Sequence, residues 1–187
     1  MNIVDTKFPD LFILEPNVFQ DARGYFLENY NQNKFEEKGL AYTFIQDNES
    51  KSCKGVIRGL HYQLAPYAQS KLIRVIVGSI LDVVVDIRKG SPTFGQHFSV
   101  ELSEENKRQL LIPKGFAHGF SVLSNTVIVN YKCDAFYQPK AERGILYNDP
   151  ELNIDWRTDL ETALISAKDK VLPVFSKAEI NFLYGKV

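Results

Sequence analysis

His61 sits in Ile57-Arg58-Gly59-Leu60-His61-Tyr62-Gln63, where an arginine and a histidine flank a glycine inside an otherwise apolar run. Packing alone gives little reason for that choice, and the position suits either a satisfied structural histidine or a functional one. Imidazole titrates near neutral pH, so a histidine in a cleft can take a proton from carbon or return one. His118 follows the turn Pro113-Lys114-Gly115, which delivers it near the start of the next strand. His97 alternates with Ser99 and Glu101 on a polar face and reads as a solvated surface residue. Lys71 shares a strand face with Ile73, Val75 and Val77; it either points inward at the strand's beginning or snorkels to solvent. Pointing inward, its ammonium would stabilise negative charge developing on a substrate. Tyr131 shares a face with Val127 and Val129, which suits a core tyrosine, although its phenol can also donate a proton. Two more polar groups lie beside aromatics and turns, 21–28 (with Arg23 and Glu28) and Gln46-Asp47-Asn48. Taken singly, each reads as ordinary turn and surface.

Strands must position these residues. The chain has 13 Phe, 9 Tyr and 1 Trp but only 1 Met, a bias that suits pleated faces. Residues 71–77 form an apolar run ending at Gly78. In 80–88, Leu81, Val83, Val85 and Ile87 alternate with Asp82, Val84, Asp86 and Arg88. Ser91-Pro92 breaks the pattern, and Phe98, Val100 and Leu102 resume it. Runs at 109–112, 119–123 and 126–133 follow, divided by turn residues. Short period-2 strands with regular turns predict a β-sandwich or barrel. Helix is expected over 33–38 ahead of Gly39, with one or two more short helices around 159–170 and 176–184. The turn-rich tail from Asn148 is expected to wrap the β core.

No repeat or linker divides the 187 residues, so a single domain spanning 1–187 is expected. With 44% hydrophobic and 24% charged residues, the chain reads as a soluble protein with a real core. A net charge of −1, from 22 basic and 23 acidic residues, argues against a nucleic-acid binder. No run reaches the length of a membrane span, and residues 1–10 lack the pattern of a secretory signal, which points to the cytoplasm. Cys53 and Cys133 are far apart and read as reduced thiols rather than a disulfide or a metal site.

Pro113-x-Gly115-x-x-His118 resembles the second conserved motif of the cupin superfamily, antiparallel barrels that often bind a metal. A metal cupin's first motif would supply His-x-His followed by Glu; here that position reads His61-Tyr62-Gln63, too few ligands for a stable metal site. The full series of motifs is similar to one cupin family, the dTDP-4-dehydrorhamnose 3,5-epimerases. It begins with Phe19-x-Asp21-x-Arg23-Gly24, Gln46-Asp47-Asn48, Arg58-Gly59-Leu60-His61-Tyr62-Gln63 and Gln69-x-Lys71-Leu72. It continues with Asp82-x-x-x-Asp86-x-Arg88, Ser91-Pro92-Thr93-Phe94-Gly95, the segment 112–120, Tyr131-Lys132, Tyr137-x-Pro139, Asn148-Asp149-Pro150 and Ser166-x-Lys168-Asp169. Each is weak alone; their order and number make the resemblance specific.

The resemblance implies an all-β, cupin-type antiparallel jelly-roll barrel with a few short helices, working without cofactor or metal. The implied substrate is dTDP-4-dehydro-6-deoxy-D-glucose, and the product is dTDP-4-dehydro-L-rhamnose, the precursor of dTDP-L-rhamnose. Both C3 and C5 flank the C4 ketone, so losing either proton gives a resonance-stabilised enolate. The resemblance makes His61 the base, Asp169 the partner that orients it, Lys71 the group at the enolate oxygen and Tyr131 the proton donor from the other face. It assigns Arg23, Glu28, Gln46, Asp47, Asn48, Arg58, His118, Glu142 and Lys168 to substrate contacts and sets Tyr137 against thymine. Arg23 and Arg58 suit the diphosphate. It further implies a homodimer whose exchanged N-terminal strands carry part of the 21–28 group to the neighbour's site. Strict alternation sets Arg58 and His61 on opposite faces, so a bulge near Gly59 is expected. Competing readings are a relative acting at C3 only or C5 only, a metal-dependent cupin oxygenase, and a non-catalytic nucleotide-sugar binding module.

Overall fold

The computed structural model of the chain describes residues 1–186. The alternating segments form strands, in chain order β1 (Asn2–Asp5), β2 (Phe12–Glu15), β3 (Val18–Asp21), β4 (Gly24–Leu27), β5 (Gln46–Cys53), β6 (Ile57–Gln63) and β7 (Lys71–Val77). They continue with β8 (Ser79–Asp86), β9 (His97–Ser103), β10 (Gln109–Ile112), β11 (Phe116–Val122), β12 (Thr126–Cys133) and β13 (Glu142–Gly144). One sheet runs β1-β2-β10-β7-β12-β5 and the other β13-β6-β11-β8-β9, while β3 and β4 pair as a separate hairpin. All these pairings are antiparallel. Two stacked sheets with crossing connections make a jelly roll, as expected.

The alternation dictates the layers. Ile73 and Val75 of β7, Val84 of β8, Leu110 of β10, Phe120 of β11 and Val127 and Val129 of β12 meet between the sheets. The opposite face of the five-stranded sheet presents Leu60, Leu81, Val83, Val85 and Ala117, covered by Leu152, Trp156, Phe175 and Phe182 from the tail. Strand β8 is therefore buried on both faces, which explains its nearly unbroken apolar run. The outer face of the six-stranded sheet sets Leu14, Leu72 and Leu111 against Phe35 and Leu40.

Phe35 belongs to α1 (Gln32–Glu37), one residue earlier than expected, because the Asn31 side chain caps it by accepting from the Lys34 amide at 3.3 Å. The helices expected around 159–170 and 176–184 do not form. That region holds only two 3-10 turns, Asp169–Val171 and Phe175–Lys177. Pro173 disfavours helix at the residue before it, and the apolar residues of the tail plug the sheet face one at a time rather than as a helical stripe. Among the described residues, no helix is long and apolar enough to cross a membrane.

Candidate active site

Gly59 lies at φ +115°, and a Cβ built there would stand 2.5 Å from the Gly119 Cα. A Cβ on Gly119 would in turn meet the Arg58 carbonyl oxygen at 2.6 Å. This close glycine–glycine approach accommodates a register shift: His118 pairs with His61, but Phe120 pairs with Arg58, so β6 uses one residue more than β11. The expected bulge is present, and it turns Arg58 and His61 into one cavity of about 550 Å³.

His61 Nε2 lies 2.8 Å from Asp169 Oδ1. Asp169 is only 3% exposed and opens the first 3-10 turn. The Gly59 amide donates to its Oδ2 at 3.3 Å, and its own amide donates to Ser166 Oγ at 3.0 Å. Burial alone would raise the Asp169 pKa. The hydrogen bond and charge of His61, with help from Gly59 and Ser166, outweigh it and hold the carboxyl below its ordinary value. An ionised Asp169 accepts the hydrogen from Nε2, leaving Nδ1 as the basic atom.

The six-stranded sheet supplies the facing wall. Lys71, at the start of β7 opposite Cys133, lines the same cavity and has no ion pair or hydrogen bond among the described residues. The inward orientation is thus the one observed. Burial depresses its pKa below that of an ordinary lysine, opposed by the nearby Cys133, Asp82 and Glu142. Tyr131, the next position after Val127 and Val129 on the same face of β12, also faces the cavity. Burial, assisted by Cys133 and opposed by Arg58, raises its pKa, so the phenol keeps its proton.

A second chamber of about 320 Å³ shares His61, Lys71 and Tyr131 with the first. Gln46 and Asn48 reach it from β5, joined by a 3.0 Å hydrogen bond. The Tyr137 amide donates to Gln46 Oε1 at 2.9 Å, and the Tyr137 hydroxyl donates to Glu142 Oε2 at 2.5 Å. Lys168 Nζ reaches Glu142 Oε1 at 2.6 Å. Burial would raise the Glu142 pKa, but Lys168 and Tyr137 bring it below the usual range, while Glu142 pushes the Tyr137 phenol up.

Residues without an assigned role support this set. Asp82, fully buried on β8, holds His118 Nε2 at 2.9 and 3.1 Å, and so forms a second His–Asp pair on the cavity wall. An acid in a strand buried on both faces was the sequence signal for it. Ser52 Oγ accepts from Arg58 Nε at 3.1 Å and fixes the guanidinium along β5.

Three expected site residues lie elsewhere. The Asp47 side chain projects from the outer face of β5, bound to Asn130 at 2.7 Å and Lys132 at 2.8 Å. Alternation along the strand sends it opposite to Gln46 and Asn48. Arg23, 90% exposed at the tip of the β3–β4 hairpin, pairs with Asp21, and Glu28 pairs with Lys34 at 2.7 Å. Neither lines the cavity of its own chain. Among the described residues, no three His, Cys, Asp or Glu side chains converge to hold a metal ion.

An oriented imidazole facing an ammonium and a phenol across a jelly-roll cavity has the chemistry to remove and return a proton at a carbon beside a carbonyl. A family model described as dTDP-4-dehydrorhamnose 3,5-epimerase matches residues 5–177. The dTDP-4-dehydrorhamnose 3,5-epimerase of Shigella flexneri is 56% identical over 170 residues, covering 90% of this chain and 93% of that protein. The crystal structure of the Elizabethkingia anophelis enzyme of that name superposes with a TM-score of 0.90 at 49% identity, covering 94% of this chain and 97% of the other. A Legionella pneumophila dTDP-6-deoxy-D-glucose-3,5-epimerase, solved in complex with dTDP-4-keto-L-rhamnose, gives a TM-score of 0.90 at 48% identity over 94% of this chain and 93% of its own. The chain belongs to the dTDP-4-dehydrorhamnose 3,5-epimerase family and is an isomerase of cupin-type jelly-roll fold.

Proposed function

We propose that the chain inverts C3 and C5 of dTDP-4-dehydro-6-deoxy-D-glucose to give dTDP-4-dehydro-L-rhamnose, within dTDP-L-rhamnose biosynthesis. The observation that carries the reading is the placement of His61, oriented by Asp169 at 2.8 Å, across one cavity from Lys71 and Tyr131. His61 Nδ1 takes the proton from C3 or C5, and the C–H electrons form the enolate double bond. Charge moves to the C4 oxygen, where the Lys71 ammonium neutralises it in a poorly solvated setting. Tyr131 returns a proton to the opposite face of the same carbon, inverting it. His61 then loses its proton and Tyr131 regains one before the second centre reacts. The electron sink is the substrate's own ketone, so the sequence needs no cofactor.

Arg58 and His118 suit the anionic diphosphate, each already held by Ser52 or Asp82. Gln46, Asn48, Tyr137, Glu142 and Lys168 are proposed to receive the nucleoside, the Tyr137 ring against thymine. Arg23 and Glu28 are proposed to serve a neighbour's site in a homodimer. Support comes from the hairpin that carries them: it stands apart from both sheets and leaves Phe19 62% and Phe26 69% exposed. For Asp47, a contact would have to come through its backbone. A single domain over 1–187 fits one inter-sheet core with both outer faces covered. Cytoplasmic residence fits the free thiols of Cys53 and Cys133.

The test is proton NMR of the reaction in deuterium oxide, following C3 and C5 separately. Label at both carbons, abolished by His61→Ala, is expected. Label at one carbon assigns the single-centre reaction instead, and turnover surviving His61→Ala removes the base from the scheme.

A further inference from the structure

Resting on that reading, we propose that Ser50 is a further substrate-binding residue, its hydroxyl donating to an oxygen of the ligand on the Arg58 side of Tyr131. Buried polar atoms almost always have partners. Among the described residues, three buried side-chain polar atoms have none: Asn29 Oδ1, Ser50 Oγ and Gln109 Oε1. Of these three residues, Ser50 is the one that lines the cavity containing His61, Lys71 and Tyr131.

The strand explains why the hydroxyl is there. The inward positions of β5 read Gln46, Asn48, Ser50, Ser52, while Asp47, Glu49, Lys51 and Cys53 are exposed. At one end of this polar row Gln46 holds the Tyr137 amide, and at the other Ser52 holds Arg58. Asn48 pairs with Tyr131 and Ser50 with Val129, so Ser50 stands between the phenol and the arginine. Asn48 and Ser52 are spent on protein partners. Ser50 is the residue of the row whose side-chain polar atom has no protein partner at all among the described residues, opposite the apolar Val129. A strand that alternates cleanly gains nothing structurally from a hydroxyl at that point. The ligand chemistry it fits is an acceptor oxygen, either a hexose hydroxyl next to the reacting ring or a diphosphate oxygen next to Arg58.

The experiment compares wild type, Ser50→Ala and Ser50→Thr in three measurements: turnover of the dTDP-4-keto sugar, binding of dTDP alone, and melting temperature without ligand. One lost neutral hydrogen bond predicts a three- to tenfold fall in kcat/KM for Ser50→Ala, about RT ln of that ratio. Ser50→Thr, which keeps the hydroxyl, restores most of it. The melting temperature of Ser50→Ala is not lowered, since no protein partner is lost; a fall of several degrees would make the hydroxyl structural and overturn the proposal. Weakened binding of dTDP as well as of the sugar nucleotide assigns the diphosphate oxygen; weakened binding of the sugar nucleotide alone assigns a hexose hydroxyl. Unchanged kcat/KM and unchanged binding of both ligands refute the role of Ser50 while leaving the epimerase reading intact. A wild type that neither turns over the keto sugar nor exchanges its protons refutes that reading itself.

Discussion

Replacing Asp169 by asparagine keeps the volume of a nearly fully buried side chain and changes only where hydrogens sit. The carboxylate accepts twice, from His61 Nε2 at 2.8 Å on one oxygen and from the Gly59 amide at 3.3 Å on the other. A carboxamide cannot do both. With its NH2 toward Gly59, two donors face each other at 3.3 Å in a site that water does not reach. With its NH2 toward His61, it donates to Nε2 and forces the ring hydrogen onto Nδ1, the atom proposed to take the proton from carbon. The second arrangement is the better bonded, so the variant holds the imidazole in the wrong tautomer. Losing a charge-assisted bond to the forming imidazolium costs roughly 1.5–3 kcal/mol, about 10- to 150-fold in rate. A fully disabled base costs about 10²- to 10⁴-fold. The expected fall in kcat for Asp169→Asn is therefore between about 10² and 10⁴, with dTDP binding unchanged. The assay couples product to a nicotinamide-dependent reductase and reads deuterium exchange at C3 and C5 independently of that coupling. Both rates must fall together. A variant that keeps kcat within threefold, or loses exchange at one carbon only, shows that this carboxylate does not set the tautomer of the base.

Lys71→Met removes an ammonium whose pKa burial has lowered from about 10.5. Between that lowered value and 10.5 the unfolded chain binds more protons than the native one, so wild-type stability rises with pH through this window. Calorimetry should find the variant melting higher at pH 7, by about 2–4 °C per kcal/mol gained, with the difference shrinking towards pH 10. Its kcat should fall about 10²- to 10³-fold; a lower melting point at pH 7 contradicts the unpaired burial of Lys71. If the proposed homodimer is held by the hairpin, Phe19→Ser combined with Phe26→Ser should shift native mass from dimer to monomer with little change in the monomer's own fold; a persisting dimer places the interface elsewhere, and a monomeric wild type refutes the dimer. Gly119→Ala sets a Cβ 2.6 Å from the Arg58 carbonyl and 3.2 Å from the Gly59 Cα. Such overpacking against backbone costs about 1–3 kcal/mol, a melting point lower by roughly 2–12 °C, and an unchanged melting curve would mean that β6 and β11 separate freely there.

The strands were legible because alternation is local: the runs at 71–77, 109–112 and 126–133 coincide with β7, β10 and β12. The tail was not, since residues such as Trp156 and Phe182 bury themselves against a distant sheet face and carry no periodic signature of their own. Inward Lys71 and Tyr131 could be placed by counting along a strand. Arg58 and His61 could not, because the bulge between them depends on Gly119, a residue 60 positions away on the facing strand. Asp47 shows the reverse case. A contiguous motif, Gln46-Asp47-Asn48, suggested three side chains on one ligand, but a regular strand presents only the first and third to the cavity. Asp82 stood out as an acid in an apolar strand without showing its distant partner His118, and Ser50 stayed silent because it is defined by a missing partner rather than by its neighbours in the chain.

Inverting a carbon centre requires an acid and a base on opposite faces of it, and two stacked sheets supply opposite faces by construction. His61 and His118 project from the five-stranded sheet; Lys71, Tyr131 and Ser50 project from the six-stranded sheet. On the proposed assignment, a ring lying between the sheets would therefore meet the base on one side and the acid on the other without any special loop. What the jelly roll does not supply is the alignment of the base, and that comes from outside both sheets. The tail, after crossing the outer face of the five-stranded sheet, brings Asp169 to His61, while the bulge at Gly59 frees the amide that fixes the second carboxylate oxygen. Substituting Gly59 should consequently impair proton abstraction as well as folding, because the amide that the bulge leaves free for Asp169 decides which of its oxygens is left for the imidazole.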